Sequence, residues 1–175
     1  MNIVQPPFWV RLFFNGSLWR KRTNEKVVYL TFDDGPVQEP TEWVLDQLNA
    51  HALKATFFCI GENAQKNPEL LKRILDEGHS IGNHTFNHLN GWNTSLDEYI
   101  RNVERCSEVF SSRLFRPPYG RLTIKQFRKL KQRFKVVFWD VLSVDYDKNL
   151  TPDDCINNVM QHVRPGSIIV FHDSI

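Results

Sequence analysis

The chain has 175 residues and a mass of 20.6 kDa, with 41% hydrophobic and 24% charged residues, enough for one substantial core and one domain. Twenty-two Lys and Arg against 20 Asp and Glu leave a net charge of +2, too small an excess to mark a nucleic-acid binder. The three widely spaced cysteines, Cys59, Cys106 and Cys155, form no CxxC pair and argue against a disulfide framework or a cysteine zinc site, and no run of ~20 apolar residues offers a membrane span.

Residues 1–25 precede the first strand signal and carry an aromatic and basic stretch, QPPFWVRLFFNGSLWRKR at 5–22. Phe8, Trp9, Leu12, Phe13, Phe14, Leu18 and Trp19 alternate there with Arg11, Arg20, Lys21 and Arg22. Such a mixture suits an interfacial membrane anchor. A segment packed over the outside of the domain is favoured, because the apolar run is short and Asn15-Gly16 breaks it. No basic, apolar and small-residue succession of a secretory signal is visible at the N-terminus, so localisation stays open.

From Lys26 onward, short β-rich runs alternate with amphipathic segments. The predicted strands are 27–32 (VVYLTF), 55–60 (ATFFCI), 79–83 (HSIGN), 113–116 (RLFR), 135–141 (KVVFWDV) and 167–171 (SIIVF), several of them continuously apolar like strands covered on both faces. Ser95 with Glu98 predicts a capped helix carrying Leu96, Tyr99, Ile100, Val103, Cys106, Val109 and Phe110 at helical spacing. Thr123 with Gln126, and Thr151 before Pro152, give two further helix starts. The alternation predicts parallel strands with helical crossovers, an α/β sheet or barrel over residues 26–175. The chain stops three residues after His172, where such a fold normally adds a covering helix, so a C-terminal truncation is expected.

The chemistry-bearing residues follow the predicted strands, and in barrels the C-terminal ends of the strands converge on one face. Asp33 and Asp34 follow the first, His84 and His88 the third, Arg116 to Gly120 the fourth, Asp140 and Asp145 the fifth, and His172 and Asp173 the sixth. The HxxxH of 84–88 places two imidazoles on one side of a helical turn, and one aspartate of the first motif would complete a His₂-carboxylate metal set with open positions. If Asp34 is that ligand, Asp33 is free to take a proton from water acidified by the metal. A strand-ending turn is the plain alternative for Asp-Asp-Gly-Pro taken alone. Arg116 in the proline-fixed RPPYG would pin Asp33, or else make a surface ion pair. His172, kept protonated by a carboxylate such as Asp145, is a candidate general acid. The basic run from Arg121 through Lys125, Arg128, Lys129, Lys131 and Arg133 to Lys135 reads as a solvated helix face, with attraction to an anionic polymer or membrane as the alternative.

TFDDGP (31–36), HSIGNHTFNH (79–88) and RPPYG (116–120) together resemble the polysaccharide deacetylase family, the NodB-homology or carbohydrate esterase family 4 domain, over roughly residues 26–175. The resemblance implies a distorted (β/α) barrel, here without its last C-terminal helix, whose divalent metal, most often Zn²⁺ with Co²⁺ as a substitute, serves removal of acetyl groups from N-acetylated sugars. It implies Asp34, His84 and His88 as metal ligands, Asp33 as base, Arg116 as the residue holding the base, and the Tyr119 N–H as an oxyanion donor. His172 is implied as the acid and Asp145 as its orienting carboxylate, with Trp139 and Val170 lining an acetyl pocket. The implied partner is an N-acetylglucosamine-type glycan of peptidoglycan or chitin type. A small-amide amidase and a non-catalytic carbohydrate-binding relic are the alternatives, and the oligomeric state stays open. Two departures stand out. Leu142-Ser-Val-Asp-Tyr146 replaces the family's usual Asp-Ser-x-Asp-Trp, and Val170 stands where Leu is common.

Overall fold

The computed structural model describes residues 4–174. After a short N-terminal helix, α1 (Val10–Phe13), the chain runs β1 (Tyr29–Asp33), α2 (Pro40–Ala50), β2 (Thr56–Cys59), α3 (Gly61–Lys66), α4 (Pro68–Asp76), β3 (Ser80–Asn83), α5 (Leu96–Val109), β4 (Leu114–Phe115), α6 (Ile124–Leu130), β5 (Lys135–Val136), β6 (Val141–Leu142), α7 (Pro152–Met160) and β7 (Ile168–His172). All pairings between these strands are parallel, in the order β5-β4-β3-β2-β1-β7-β6. This is the predicted (β/α) architecture, realised as a half-barrel.

The connectivity forces the sheet to curl. Strands β5 and β6 lie at opposite edges, yet only residues 137–140 join them. A flat seven-stranded sheet would separate its edges by roughly 29 Å at ~4.8 Å per strand. The five residue steps from Val136 to Val141 span at most about 17 Å. Residues near the N-terminus line the remaining seam: Leu18 N–H donates to the Val136 carbonyl at 2.8 Å, Phe138 N–H donates to the Leu18 carbonyl at 2.8 Å, and Lys21 N–H donates to the Gly166 carbonyl at 2.9 Å. Trp19 stacks on Phe138 at 4.2 Å and is buried. One face of the aromatic segment is therefore packed against the barrel, as favoured; its other face is not.

The predicted strand 135–141 is two strands. Both halves are apolar and no Gly or Pro separates them, so the sequence does not mark the break at Val137–Asp140. This moves Asp140 away from the site. Its N–H donates to the Ile168 carbonyl at the start of β7, and its buried carboxylate takes hydrogen bonds from Arg164, Ser167 and Arg11 at the opposite end of the barrel. Burial pushes that carboxyl up, but these partners outweigh it and hold the pKa down at about 2.

Alternation along β1 and β7 decides what faces the lumen. Leu30 and Phe32 turn out to the helices, against Val44, Leu45, Leu48, Phe57 and Ile74. Tyr29, Thr31 and Asp33 occupy the other face, and the register pairs Tyr29 with Ile168, Thr31 with Val170 and Asp33 with His172. Two acid–base candidates thus come side by side at the C-terminal ends of adjacent strands. Phe58 fills the lumen below them, and its ring lies where a side chain at Gly82 would be, 2.3 Å from the position of a Cβ there. Ser95 caps α5, while Thr123 and Thr151 make full capping boxes with Gln126 and Asp154. Cys59 and Cys106 are buried, while Cys155 is only half-buried, on a helix that contributes no buried residue.

Candidate active site

Arg116 sits at the end of β4 with no solvent exposure. Its Nη1 donates to Asp33 Oδ1 at 2.6 Å and to Thr31 Oγ1 at 2.8 Å, its Nη2 donates to the Phe138 carbonyl at 3.1 Å, and the guanidinium lies 4.0 Å from the Phe58 ring centre. Burial lowers the Arg116 pKa and the Asp33 charge opposes that shift. The surface ion pair is thereby replaced by a buried pair whose carboxylate is fixed in direction.

Asp34, His84 and His88 converge beside this pair. Their ligand atoms all lie within 4.8 Å of one another, with Asp34 Oδ1 at 3.4 Å from His84 Nε2 and 3.1 Å from His88 Nε2. The two histidines do not share a helical turn, contrary to the HxxxH expectation. Residues 84–88 form a loop in which Thr85 (φ 65°) and His88 (φ 55°) adopt left-handed backbone. Other side chains hold that loop: Asn83 Oδ1 accepts from Thr85 N–H at 2.9 Å, and Asn102 Oδ1 accepts from Phe86 N–H at 2.7 Å and Asn87 N–H at 3.1 Å. Neither asparagine was singled out from the sequence: Asn102 clamps from 15 residues downstream and leaves no local pattern, and Asn83 was given no role.

The proton positions decide whether this group suits a cation. His84 Nδ1 lies 2.8 Å from the Arg116 carbonyl oxygen, which only accepts, so this nitrogen carries the proton and Nε2 presents a lone pair to Asp34. His88 Nδ1 meets Tyr119 Oη at 3.1 Å; with that hydroxyl as acceptor the proton sits on Nδ1 and Nε2 is free to ligate. Asp34 Oδ1 is buried and has no hydrogen-bond partner among the described residues. One carboxylate oxygen and two ring nitrogens converging without protons between them fit a divalent cation such as zinc.

Across the rim, Asp145 Oδ1 lies 2.7 Å from His172 Nδ1, and Asp145 Oδ2 accepts from the His172 backbone N–H at 2.8 Å. Burial lowers the imidazole pKa, but the Asp145 hydrogen bond and the charges of Asp33, Asp145 and Asp34 leave it above its ordinary value. The altered Leu142–Tyr146 stretch thus still aims its carboxylate at His172. Behind them sits a residue given no role from the sequence. Asp173 is buried, accepts from Gly35 N–H at 3.0 Å and Thr41 Oγ1 at 2.7 Å, and thereby props the turn that follows Asp34. Burial raises its pKa to about 7.

Tyr119 adopts φ 59° and ψ 7° in the proline-fixed loop, and Gly120 follows at φ 64°. A Cβ at Gly120 would lie 2.5 Å from the Trp139 ring, so glycine is needed there for the close approach as well as the backbone. Trp139 in turn packs with Leu142, Val144 and Val170 in one apolar cluster. Further out, the Arg121 guanidinium stands 5.9 Å from the Tyr119 ring and 5.1 Å from the Trp92 ring, both rings largely exposed. The Trp92 loop is rigid: Gln126, itself buried, donates to the Gly91 and Thr94 carbonyls at 2.9 and 3.1 Å. Non-glycine residues with positive φ gather in these rim loops, at Asp34, Thr85, His88, Tyr119 and Val144. Such conformations cost ~1–3 kcal/mol each and persist where surroundings impose them.

Among known sequences, the family model described as Polysaccharide deacetylase matches residues 20–137. A peptidoglycan-N-acetylglucosamine deacetylase of Bacillus cereus is 42% identical over 158 residues, covering 86% of this chain and 57% of the relative's own length. A chitooligosaccharide deacetylase of Azorhizobium caulinodans is 34% identical over 166 residues, covering 90% of this chain and 79% of that protein. Among solved structures, a peptidoglycan N-acetylglucosamine deacetylase in complex with an N-hydroxybenzamide superposes with a TM-score of 0.86 at 39% identity, covering 95% of this chain and 80% of the other.

Proposed function

The chain belongs to the polysaccharide deacetylase family, and from that premise we propose that it hydrolyses the N-acetyl group of N-acetylglucosamine units in a peptidoglycan- or chitin-type glycan. Asp34, His84 and His88 would hold a divalent cation, zinc by preference for this donor set, which when bound polarises the acetyl carbonyl and acidifies a water molecule.

This chain's own residues do the rest. Asp33, oriented by Arg116, takes the proton from the attacking water as its oxygen bonds to the carbonyl carbon. The Tyr119 N–H donates to the oxygen that becomes negative, and its loop is set in advance by two prolines. His172, kept cationic by Asp145, gives its proton to the departing nitrogen as the C–N bond breaks, leaving acetate and a free amine. Trp139 and Val170 wall the methyl group. Tyr119 and Trp92, bridged by Arg121, offer flat faces to a neighbouring sugar of the polymer.

One observation carries the reading: Asp33 and His172 are register partners on adjacent strands, and each is held by its own oppositely charged partner beside the Asp34–His84–His88 group. The test is acetate release from peptidoglycan, chito-oligosaccharides and simple amides, before chelation, after it, and after metal add-back. Metal-dependent release from the glycans is expected. Release from simple amides alone would replace the glycan reading with an amidase, and sugar binding without release would replace it with a binding module.

A further inference from the structure

In the N-terminal segment, Phe8, Trp9, Leu12 and Phe13 are 79%, 53%, 72% and 61% exposed. Their spacing is that of one face of a helical turn. Val10 and Phe14 take the opposite face and pack into the core, Phe14 meeting Phe127 edge-on at 5.2 Å and Phe138 at 5.1 Å. The α1 turn thus points four large apolar side chains away from the protein that anchors it. At roughly 150–250 Å² per aromatic side chain, the outward apolar area is on the order of 500 Å², towards the upper end of the ~300–600 Å² typical of the largest patch on a monomer.

Exposed cations follow the residues on which this segment packs. Lys131 Nζ lies 5.4 Å from the ring of Phe127, the residue that Phe14 packs on, and Lys135 Nζ donates to the Gly16 carbonyl at 2.9 Å. Lys125, Arg128 and Lys129 are exposed on α6, and Lys21 and Arg22 are exposed just after the packed Trp19. Neither residues 5–22 nor residues 121–135 contain an Asp or Glu.

The combination selects among partners. A polyanionic glycan would satisfy the cations and could stack a sugar on a ring, but it offers no apolar phase to Leu12 and three rings presented together. An anionic lipid surface takes both, with rings at the headgroup level and lysines among the phosphates. We propose that the outward face of residues 8–13, together with the exposed cations Arg128 and Lys131 that follow Phe127, docks this domain peripherally and reversibly on an anionic lipid surface.

The test is co-sedimentation of the whole chain with phosphatidylcholine vesicles with and without about one-third phosphatidylglycerol. Wild type should partition onto the anionic vesicles and little onto neutral ones. Phe8→Ser/Leu12→Ser/Phe13→Ser should reduce partitioning at least about tenfold. Arg128→Gln/Lys131→Gln should reduce it roughly tenfold at low salt, with the difference from wild type fading at high salt. Unchanged circular dichroism in both variants separates lost docking from lost folding. The proposal is overturned if wild type ignores anionic vesicles, if the serine variant binds as well as wild type, or if sedimentation velocity without lipid shows a dimer that the serine variant abolishes, which would assign the face to a second copy of the chain.

Discussion

Asp145 meets His172 twice, one carboxylate oxygen accepting a hydrogen bond from the ring Nδ1 at 2.7 Å and the other from the backbone N–H at 2.8 Å. The double contact fixes both the ring and the strand end that carries it. It also raises the imidazole pKa against the opposing effect of burial. A general acid must be protonated, so turnover should fall as pH rises through this raised value. Asp145→Asn should move that alkaline limb to lower pH, as a pH–rate profile would record. In stability the sign is the same: a raised histidine pKa contributes below the unfolded value near ~6.5 and is lost as pH rises through the folded one.

Asp173 should act in the opposite sense to an ordinary paired carboxylate. With its pKa raised to about 7, it stays protonated while the unfolded chain has already ionised above ~4. Its contribution to stability therefore declines as pH rises between those values and is level beyond them. Asp173→Asn keeps an acceptor for Gly35 N–H and should flatten that slope in urea midpoints taken across the pH range. Asp173→Ala leaves Gly35 and Thr41 without their partner and should cost ~1–3 kcal/mol.

Arg116 and Asp33 should be strongly coupled. Arg116→Met leaves the Asp33 carboxylate buried without its cation and should cost ~3–5 kcal/mol. Adding Asp33→Asn to that variant should restore part of the loss, measured as a coupling energy in a double-mutant cycle. Asp33→Asn alone should lower kcat ~10²–10⁴-fold. Wild-type turnover in that variant would remove Asp33 from its proposed role.

The Trp92–Arg121–Tyr119 row predicts a dependence on substrate length. Trp92→Ala should raise KM for longer chito-oligosaccharides by roughly tenfold, taking ~1 kcal/mol or more per lost ring contact, with little effect on the shortest ones. Equal effects at every length would place Trp92 outside the substrate path.

Much of this arrangement was legible because strand ends, loops and chemistry coincide in the chain. The apolar run 27–32 and the polar residues after each such run are local signals, and parallel pairing brings such ends together. What stayed hidden was set at long range. The split of 135–141 depends on which edges the two halves pair with, and nothing local distinguishes one seven-residue strand from two short ones. The spacing of His84 and His88 suits a helix, but the actual loop is imposed by Asn83 and Asn102 and by two left-handed residues. Asp173 reads as an ordinary polar residue until its burial under Gly35 and Thr41 is seen. Within the aromatic segment, helical phase alone decides that Phe14 packs and Phe13 does not.

The central claim is that one aspartate of the adjacent pair grips a cation and the other does not. Titrating Zn²⁺ calorimetrically into metal-stripped protein measures this directly. The account predicts a single site in wild type, retained in Asp33→Asn and lost in Asp34→Ala and His88→Ala; absence of a stoichiometric site in wild type, or equal loss in Asp33→Asn and Asp34→Ala, would contradict it.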